Sequence, residues 1–179
     1  LVDKSLVVAE PYGASYRYRL LETIRQFAAE RMLDAGDGEA IAVADRHCDY
    51  FLSLVERAAP HTYLPEQGEW FARLRTDDGN VLRALQHAIE MPGGTERVLR
   101  FAVALRYYWF ATGAMRQVRL LMDSYDDLAA RPETDGLQTL FAGALVSISM
   151  SARSWDTTKA SALGERSVET ARRGGDPGT

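Results

Sequence analysis

The chain is expected to fold as an all-α protein, an α-α superhelix of stacked helical hairpins, with a small β-hairpin at its N-terminal end. Three observations predict this. Apolar residues recur at helical spacing through almost every segment after residue 22. Strand-like alternation is confined to the first twenty or so positions. An offset of 42 residues superposes Leu99 on Phe141, Ala102 on Ala144, Val103 on Leu145, Leu121 on Leu163 and Ala129 on Ala171. A period of that length suits a solenoid of helix pairs better than a closed bundle.

The elements follow in order. Residues 6–9 and 16–21 read as two strands, and Pro11, Gly13 and Ser15 between them supply turn chemistry. Tyr16, Tyr18 and Leu20 share one strand face, while Arg17 and Arg19 share the other. Over 22–35, Ile24, Phe27, Ala28 and Met32 recur at helical spacing until the run from Gly36 to Gly38 breaks it. A second stripe, Ile41, Ala44, Cys48, Phe51, Leu52 and Val55, fills 39–59 and stops at Pro60. Pro65 opens a short helix carrying Trp70, Phe71 and Leu74. Asn80 is the expected N-cap of a helix over 80–91, ended by Pro92, Gly93 and Gly94. The helix over 96–111 is apolar around much of its circumference, as in a helix held between neighbours. Gly113 turns the chain into a helix over 115–130, and 132–136 is a linker. Helices over 137–151 and 157–173 follow, joined at Ser154, Trp155 and Asp156, and the chain tails off in Gly174 to Gly178.

Composition narrows the function. Apolar residues make up 46% and charged residues 26% of the 179 positions, which is ordinary globular usage. No stretch approaches the roughly 18 apolar residues of a membrane span, and no signal peptide is read at the start, so a soluble cytoplasmic protein is expected. The chain begins at Leu1 rather than Met, and the natural protein is expected to extend upstream. A single cysteine, Cys48, excludes an internal disulfide framework. The net charge of −4 argues against a dominant nucleic-acid surface.

Catalytic and cofactor chemistry finds no constellation. Lys4-Ser5 superficially matches the end of a phosphate-binding loop but has no glycine ahead of it, and Lys159 is not in a glycine-rich loop. His47 and Cys48 are adjacent and diverge by about 100° on a helix, so they do not close on one metal ion. Cys48 lies on an apolar stripe, where a thiol is inert. The pairs Asp77-Asp78 and Asp126-Asp127 diverge in the same way and read as solvated surface. No catalytic, metal or cofactor residue is therefore assigned, and the chain is not expected to be an enzyme. Arg100, Arg106, Tyr107 and Arg116 cluster around the Trp109 helix and its turn, and Tyr and Arg are frequent interface anchors, so they are the candidate partner-binding residues. In the competing view, Tyr107 and Trp109 fill the inter-helix core, and for Trp109 this is favoured. Arg17 and Arg19, on one strand face, are the candidate DNA-phosphate contacts.

The residues also carry a family likeness. Leu1 to Val7 (LVDKSLV) and Tyr18 to Ala28 (YRLLETIRQFA) resemble the junction segment of bacterial, actinobacterial-type STAND-class signal-transduction ATPases, large regulators of the LuxR-family or cyclase-linked kind. The resemblance continues through Arg46-His47, Tyr50 to Leu52, Pro65 to Gln67, Trp70, Asn80, Leu82 to Leu85 and Ala104 to Trp109. It covers residues 1–130 well and the remainder loosely, and it departs at Gly79, where the family usually carries an acidic or other polar residue. It implies an upstream ATPase domain binding ATP, a winged-helix domain, and tetratricopeptide-like repeats. On that plan residues 1–35 are the C-terminal remnant of the winged helix, 36–64 a connector helix and 65–179 the repeats.

The expected function is a non-catalytic interaction module that senses a protein or small-ligand signal and controls its own upstream ATPase. DNA would be reached only through the full-length protein. The alternative is a winged-helix DNA-binding element built on the hairpin. Exposed Leu6, Val8 and Leu20 would favour a non-natural homodimer of the isolated piece.

Overall fold

A computed structural model describes residues 2, 4–12, 15–34, 37–131, 137–153 and 156–174. The chain divides into two compact units, Leu1–Asp45 and Arg46–Thr179. It is predominantly helical with one two-stranded antiparallel sheet among the described residues, as the sequence predicts.

In the first unit, β1 (Val7–Tyr12) pairs with β2 (Ser15–Leu20). The register sets Val7, Ala9 and Pro11 opposite Leu20, Tyr18 and Tyr16, which makes one face apolar. Val8 and Glu10 oppose Arg19 and Arg17 on the other face. The ladder is longer than expected at the turn end, because Pro11 and Tyr12 belong to β1. A proline is tolerated there since a two-stranded sheet has only edge strands. The turn residues Gly13 and Ala14 lie outside the described residues. Helix α1 (Glu22–Asp34) starts on Glu22, whose carboxylate accepts from Arg25 at 2.5 and 2.9 Å and from Gln26 at 3.0 Å. Its expected apolar stripe is not covered at Phe27, which is 56% exposed and carries the Arg31 guanidinium over its ring.

Helix α2 (Asp37–Ala58) buries Cys48, Phe51, Leu52, Leu54, Val55 and Ala58. Pro60 stops it, and the chain tightens into a 3-10 turn over Ala59–His61. Helix α3 (Gln67–Thr76) is followed almost at once by α4 (Asp78–Glu90). The N-cap of α4 is Asp77, not Asn80. Asp78 lies in the first turn, where a carboxylate complements the helix dipole, and the Asn80 amide donates back to Asp77 Oδ1 at 3.3 Å.

The turn after α4 holds Gly93 at φ +72 and a buried Gly94. A side chain at Gly94 would overlap the carbonyl oxygen of Ala88. Helix α5 (Thr95–Thr112) closes on Gly113 in the left-handed conformation, as expected. The single helix expected over 115–130 is two, α6 (Met115–Asp123) and α7 (Tyr125–Ala130). They meet at Ser124, whose hydroxyl and N–H both donate to the Leu120 carbonyl, at 2.9 and 3.1 Å. Helices α8 (Gln138–Ala152) and α9 (Thr157–Gly174) follow. The expected linker at 132–136, the joint at 154–155 and the tail beyond Gly174 lie outside the described residues.

Cross-links fix the helix directions in the second unit. Arg97 reaches Asp49 at 2.8 Å and Arg100 reaches Glu56 at 2.7 Å, so α5 runs parallel to α2. Gly143 faces Val103, and Leu140 and Met150 line surface beside the two ends of α5, so α8 runs parallel to α5. Asp78 accepts from Arg116 at 2.5 Å and the Ile89 carbonyl accepts from Arg131 at 2.6 Å, so α6–α7 follows α4. Arg166 reaches Asp126 at 3.4 Å and continues the series into α9. Ser149 and Ser167 donate to the carbonyls of Ala160 and Ala142 at 2.6 and 3.1 Å, which sets α9 antiparallel to α8. The unit is thus a row of helical hairpins. Ties between neighbours join residues 38 to 48 positions apart, bracketing the 42-residue offset.

Candidate functional site

Helix α5 sits between α2 and α8, so most of its circumference is buried. Phe101, Leu105, Tyr108 and Trp109 are at most 3% exposed and fill the core. Trp109 is therefore a core residue, as favoured. Tyr107 is 40% exposed and belongs to the surface.

Three of the four candidate partner-binding residues, Arg100, Arg106 and Tyr107, line one open groove of about 370 Å³. Its other walls are Glu56 of α2, Ala59, Pro60 and Tyr63 after it, Val103 and Ala104 of α5, and Leu140 of α8. The loop bearing Tyr63 is tied down locally: buried Thr62 donates its hydroxyl to the Ala59 carbonyl at 2.8 Å, and the Gln67 amide donates to the Thr62 carbonyl. Tyr63 then meets Tyr107 edge-on at 5.4 Å between centroids. The Arg106 guanidinium lies 5.0 Å from the Tyr107 ring centre, within cation–π range. Arg106 Nε is buried with no hydrogen-bond partner among the described residues.

The two other arginines differ in role. Arg100 forms a two-point pair with Glu56 at 2.7 and 2.9 Å, which raises its pKa above the ordinary arginine value, chiefly through the hydrogen bond. Arg116 does not reach the groove. It pairs with Asp78, whose second oxygen accepts from the fully buried Gln117 at 2.6 Å, so its visible work is to tie α6 to α4.

A second open groove of about 390 Å³ lies at the far end of the α5–α8 seam, lined by Trp109, Phe110, Gly113, Met150, Ser151 and Arg153. The apolar spacing of the sequence did not single out Phe110, Tyr63 or Glu56. Tyr63–Tyr107 and Glu56–Arg100 are each 44 residues apart, two more than the offset, which falls instead on Pro65 and Ala58.

The candidate DNA contacts lie in the first unit. Arg19 pairs across the hairpin with Glu10 at 3.2 Å, and Glu10 also stands opposite Arg17 in the register. The carboxylate offsets part of the positive charge that a phosphate would meet.

Reactive groups elsewhere are few. The Cys48 thiol is 0% exposed. His47 rests against Phe51 at 4.7 Å. Burial pushes its pKa below the ordinary 6.5, the Arg83 and His87 charges push the same way, and a hydrogen bond with Asn80 opposes them. Among the described residues no three His, Cys, Asp or Glu side chains are grouped to hold a metal ion, and no helix is long and apolar enough to cross a membrane.

Comparison with known proteins places relatives beside this geometry. Over 118 residues, 65% of the chain, the sequence is 36% identical to proteins of Mycobacterium tuberculosis (strains CDC 1551 / Oshkosh and ATCC 25618 / H37Rv) and Mycobacterium bovis (strain ATCC BAA-935 / AF2122/97). Each is named as a candidate HTH-type transcriptional regulator. The matched stretch spans 13% of each relative's length. No family pattern and no solved structure matches the chain.

Proposed function

We propose that the chain is a non-catalytic interaction module of a larger cytoplasmic transcriptional regulator of the ATPase type. It receives a protein or ligand signal on its helical hairpins and controls the ATPase activity of the same polypeptide. The carrying observation is the groove of Arg100, Arg106 and Tyr107. It is built where parallel first helices of successive hairpins meet, in a chain that resembles a short stretch of much longer HTH-type regulators. Stacked helix pairs create extended binding surfaces of this kind. The parallel sets α2, α5, α8 and α4, α6–α7, α9 support a tetratricopeptide-like arrangement from α2 onward, and the α1 and hairpin region is assigned to the end of a winged-helix domain.

A ligand can bias an ATPase only by its differential affinity for two states of the whole protein. The test is therefore made on the complete gene product. Its ATP turnover and its retention of promoter DNA are measured before and after deletion of residues 65–179. Turnover that becomes independent of the inducing signal, with DNA retention kept, is expected. A gene product that hydrolyses no ATP, or whose regulation survives the deletion, contradicts the proposal.

The alternative, a DNA-binding element on the hairpin, draws support from the relatives' HTH-type names and from Arg17 and Arg19. The pairing of Arg19 with Glu10 weighs against it. A salt-sensitive shift of duplex DNA by the 179-residue chain, abolished by Arg17→Ala and Arg19→Ala, would favour it.

A further inference from the structure

We infer that the seam between the parallel helices α5 and α8 binds an acidic amphipathic peptide segment of a partner protein. This inference rests on the interaction-module reading and specifies the partner's chemistry.

The apolar half of the argument is a stripe. On α5, Val103, Tyr107 and Phe110 follow one another at spacings of four and three along one face, and Tyr107 and Phe110 are 40% and 62% exposed. On α8, Val146 and Met150 repeat the spacing, and Val146 is 38% exposed. Each lies 43 residues after its counterpart, Val103 and Tyr107. These residues belong to the same two parallel helices, and Val103 and Tyr107 line the first groove while Phe110 and Met150 line the second, so we read them as one ribbon. The grooves of about 370 and 390 Å³ sit at its two ends. From Arg100 to Gly113 the ribbon is about 20 Å long at the helical rise. That length matches a partner helix of three to four turns, and an amphipathic helix reads such a groove with anchors at matching spacing.

The charged half lies in the arginines that line the two grooves. Arg100 is already neutralised by Glu56 through two hydrogen bonds. Arg106, in the first groove, keeps a buried Nε without an acceptor, and a buried donor left unpaired is costly. Arg153, in the second groove, makes no hydrogen bond or ion pair among the described residues. The Arg106 guanidinium, stacked on Tyr107, and the Arg153 guanidinium border the apolar residues of the two grooves, and such cations are complementary to carboxylates flanking apolar side chains. A single-stranded nucleic acid would also use arginines and aromatic rings. The aliphatic Val103, Val146 and Met150 offer no stacking face, however, and the chain's net charge of −4 opposes a polyanion.

The probe is a displayed library of random 15-residue peptides, selected on the complete 179-residue chain. Enriched peptides are expected to carry Asp or Glu beside Leu, Phe or Trp at spacings of three and four. Fluorescence anisotropy with the most enriched peptide should then weaken about tenfold for Arg106→Ala, the loss expected of an anchor truncation. It should also weaken for Phe110→Ala and Arg153→Ala, whose exposed side chains leave the far-UV dichroism unchanged. Enrichment of basic or neutral peptides, binding indifferent to all three substitutions, or tighter binding of a fifteen-nucleotide oligothymidylate would each overturn the inference. Loss of regulation on deleting residues 65–179 alongside any of these results would leave the module reading standing and remove only the partner's chemistry. Selection of acidic peptides in a gene product without ATP turnover would do the reverse.

Discussion

At Gly94 the chain turns from α4 into α5 with no room for a methyl group, because a Cβ there would meet the Ala88 carbonyl oxygen and Met91 Cγ. The methionine side chain can move, but the backbone carbonyl cannot without opening the end of α4. Gly94→Ala should therefore destabilise the chain by about 1–3 kcal/mol, the usual range for overpacking, read as a lowered urea midpoint at unchanged slope. His47 supplies a pH dependence. The folded state holds its pKa below 6.5, mainly by burial and then by Arg83, with His87 acting the same way and Asn80 opposing. The unfolded chain thus binds this proton more tightly. Stability from this group is fully present above about pH 6.5 and is lost as pH falls through that value towards the folded pKa. Urea unfolding at pH values on either side of 6.5 should show the decline, and His47→Gln should flatten it. A decline of the same size in the variant would assign the effect to other groups. At this scale the sequence was informative about type and silent about pairing. That Trp109 is core follows from its size and its apolar neighbours. That Arg116 serves Asp78 and Arg100 serves Glu56 does not, because those partners lie 38 and 44 residues away.

Among the elements, nearly every helix was legible from its apolar spacing and its breakers. The exceptions have local causes. One helix is divided into α6 and α7 at Ser124, whose hydroxyl and N–H both bond the Leu120 carbonyl. The start of α4 moved from Asn80 to Asp77 because two successive carboxylates sit better at the positive end of a helix. The strand ladder grew past Pro11 because no further strand needs its missing N–H. The tie between α4 and α6 is a polar joint in which half-buried Asp78 serves both the exposed Arg116 and the buried Gln117. Asp78→Ala leaves the Gln117 amide, 1% exposed, without its acceptor. A loss of about 1–3 kcal/mol follows from the unpaired buried donor, far above the contribution of the exposed Arg116 pair. Asp78→Asn, which keeps an acceptor oxygen for Gln117, should recover most of it. Equal losses in the two variants, measured by urea unfolding, would show that the ion pair and not the buried amide carries the joint.

Across the whole molecule the 42-residue offset was the most informative feature of the sequence. Leu99 and Phe141, Ala102 and Ala144, and Leu121 and Leu163 are all buried, while Ala129 and Ala171 are both exposed. Only Val103 and Leu145 differ, half-buried against buried, because Val103 borders the groove. The offset located the repeating unit but could not show that α5 and α8 run parallel with their seam open, since that depends on which faces meet. The central proposal is that the α5 surface receives a signal. The most direct measurement is signal-dependent transcription from the regulated promoter by the complete gene product carrying both Arg106→Ala and Tyr107→Ala. The account predicts that promoter binding persists while the response to the signal is lost. A double variant that responds as the unmodified protein does would contradict it.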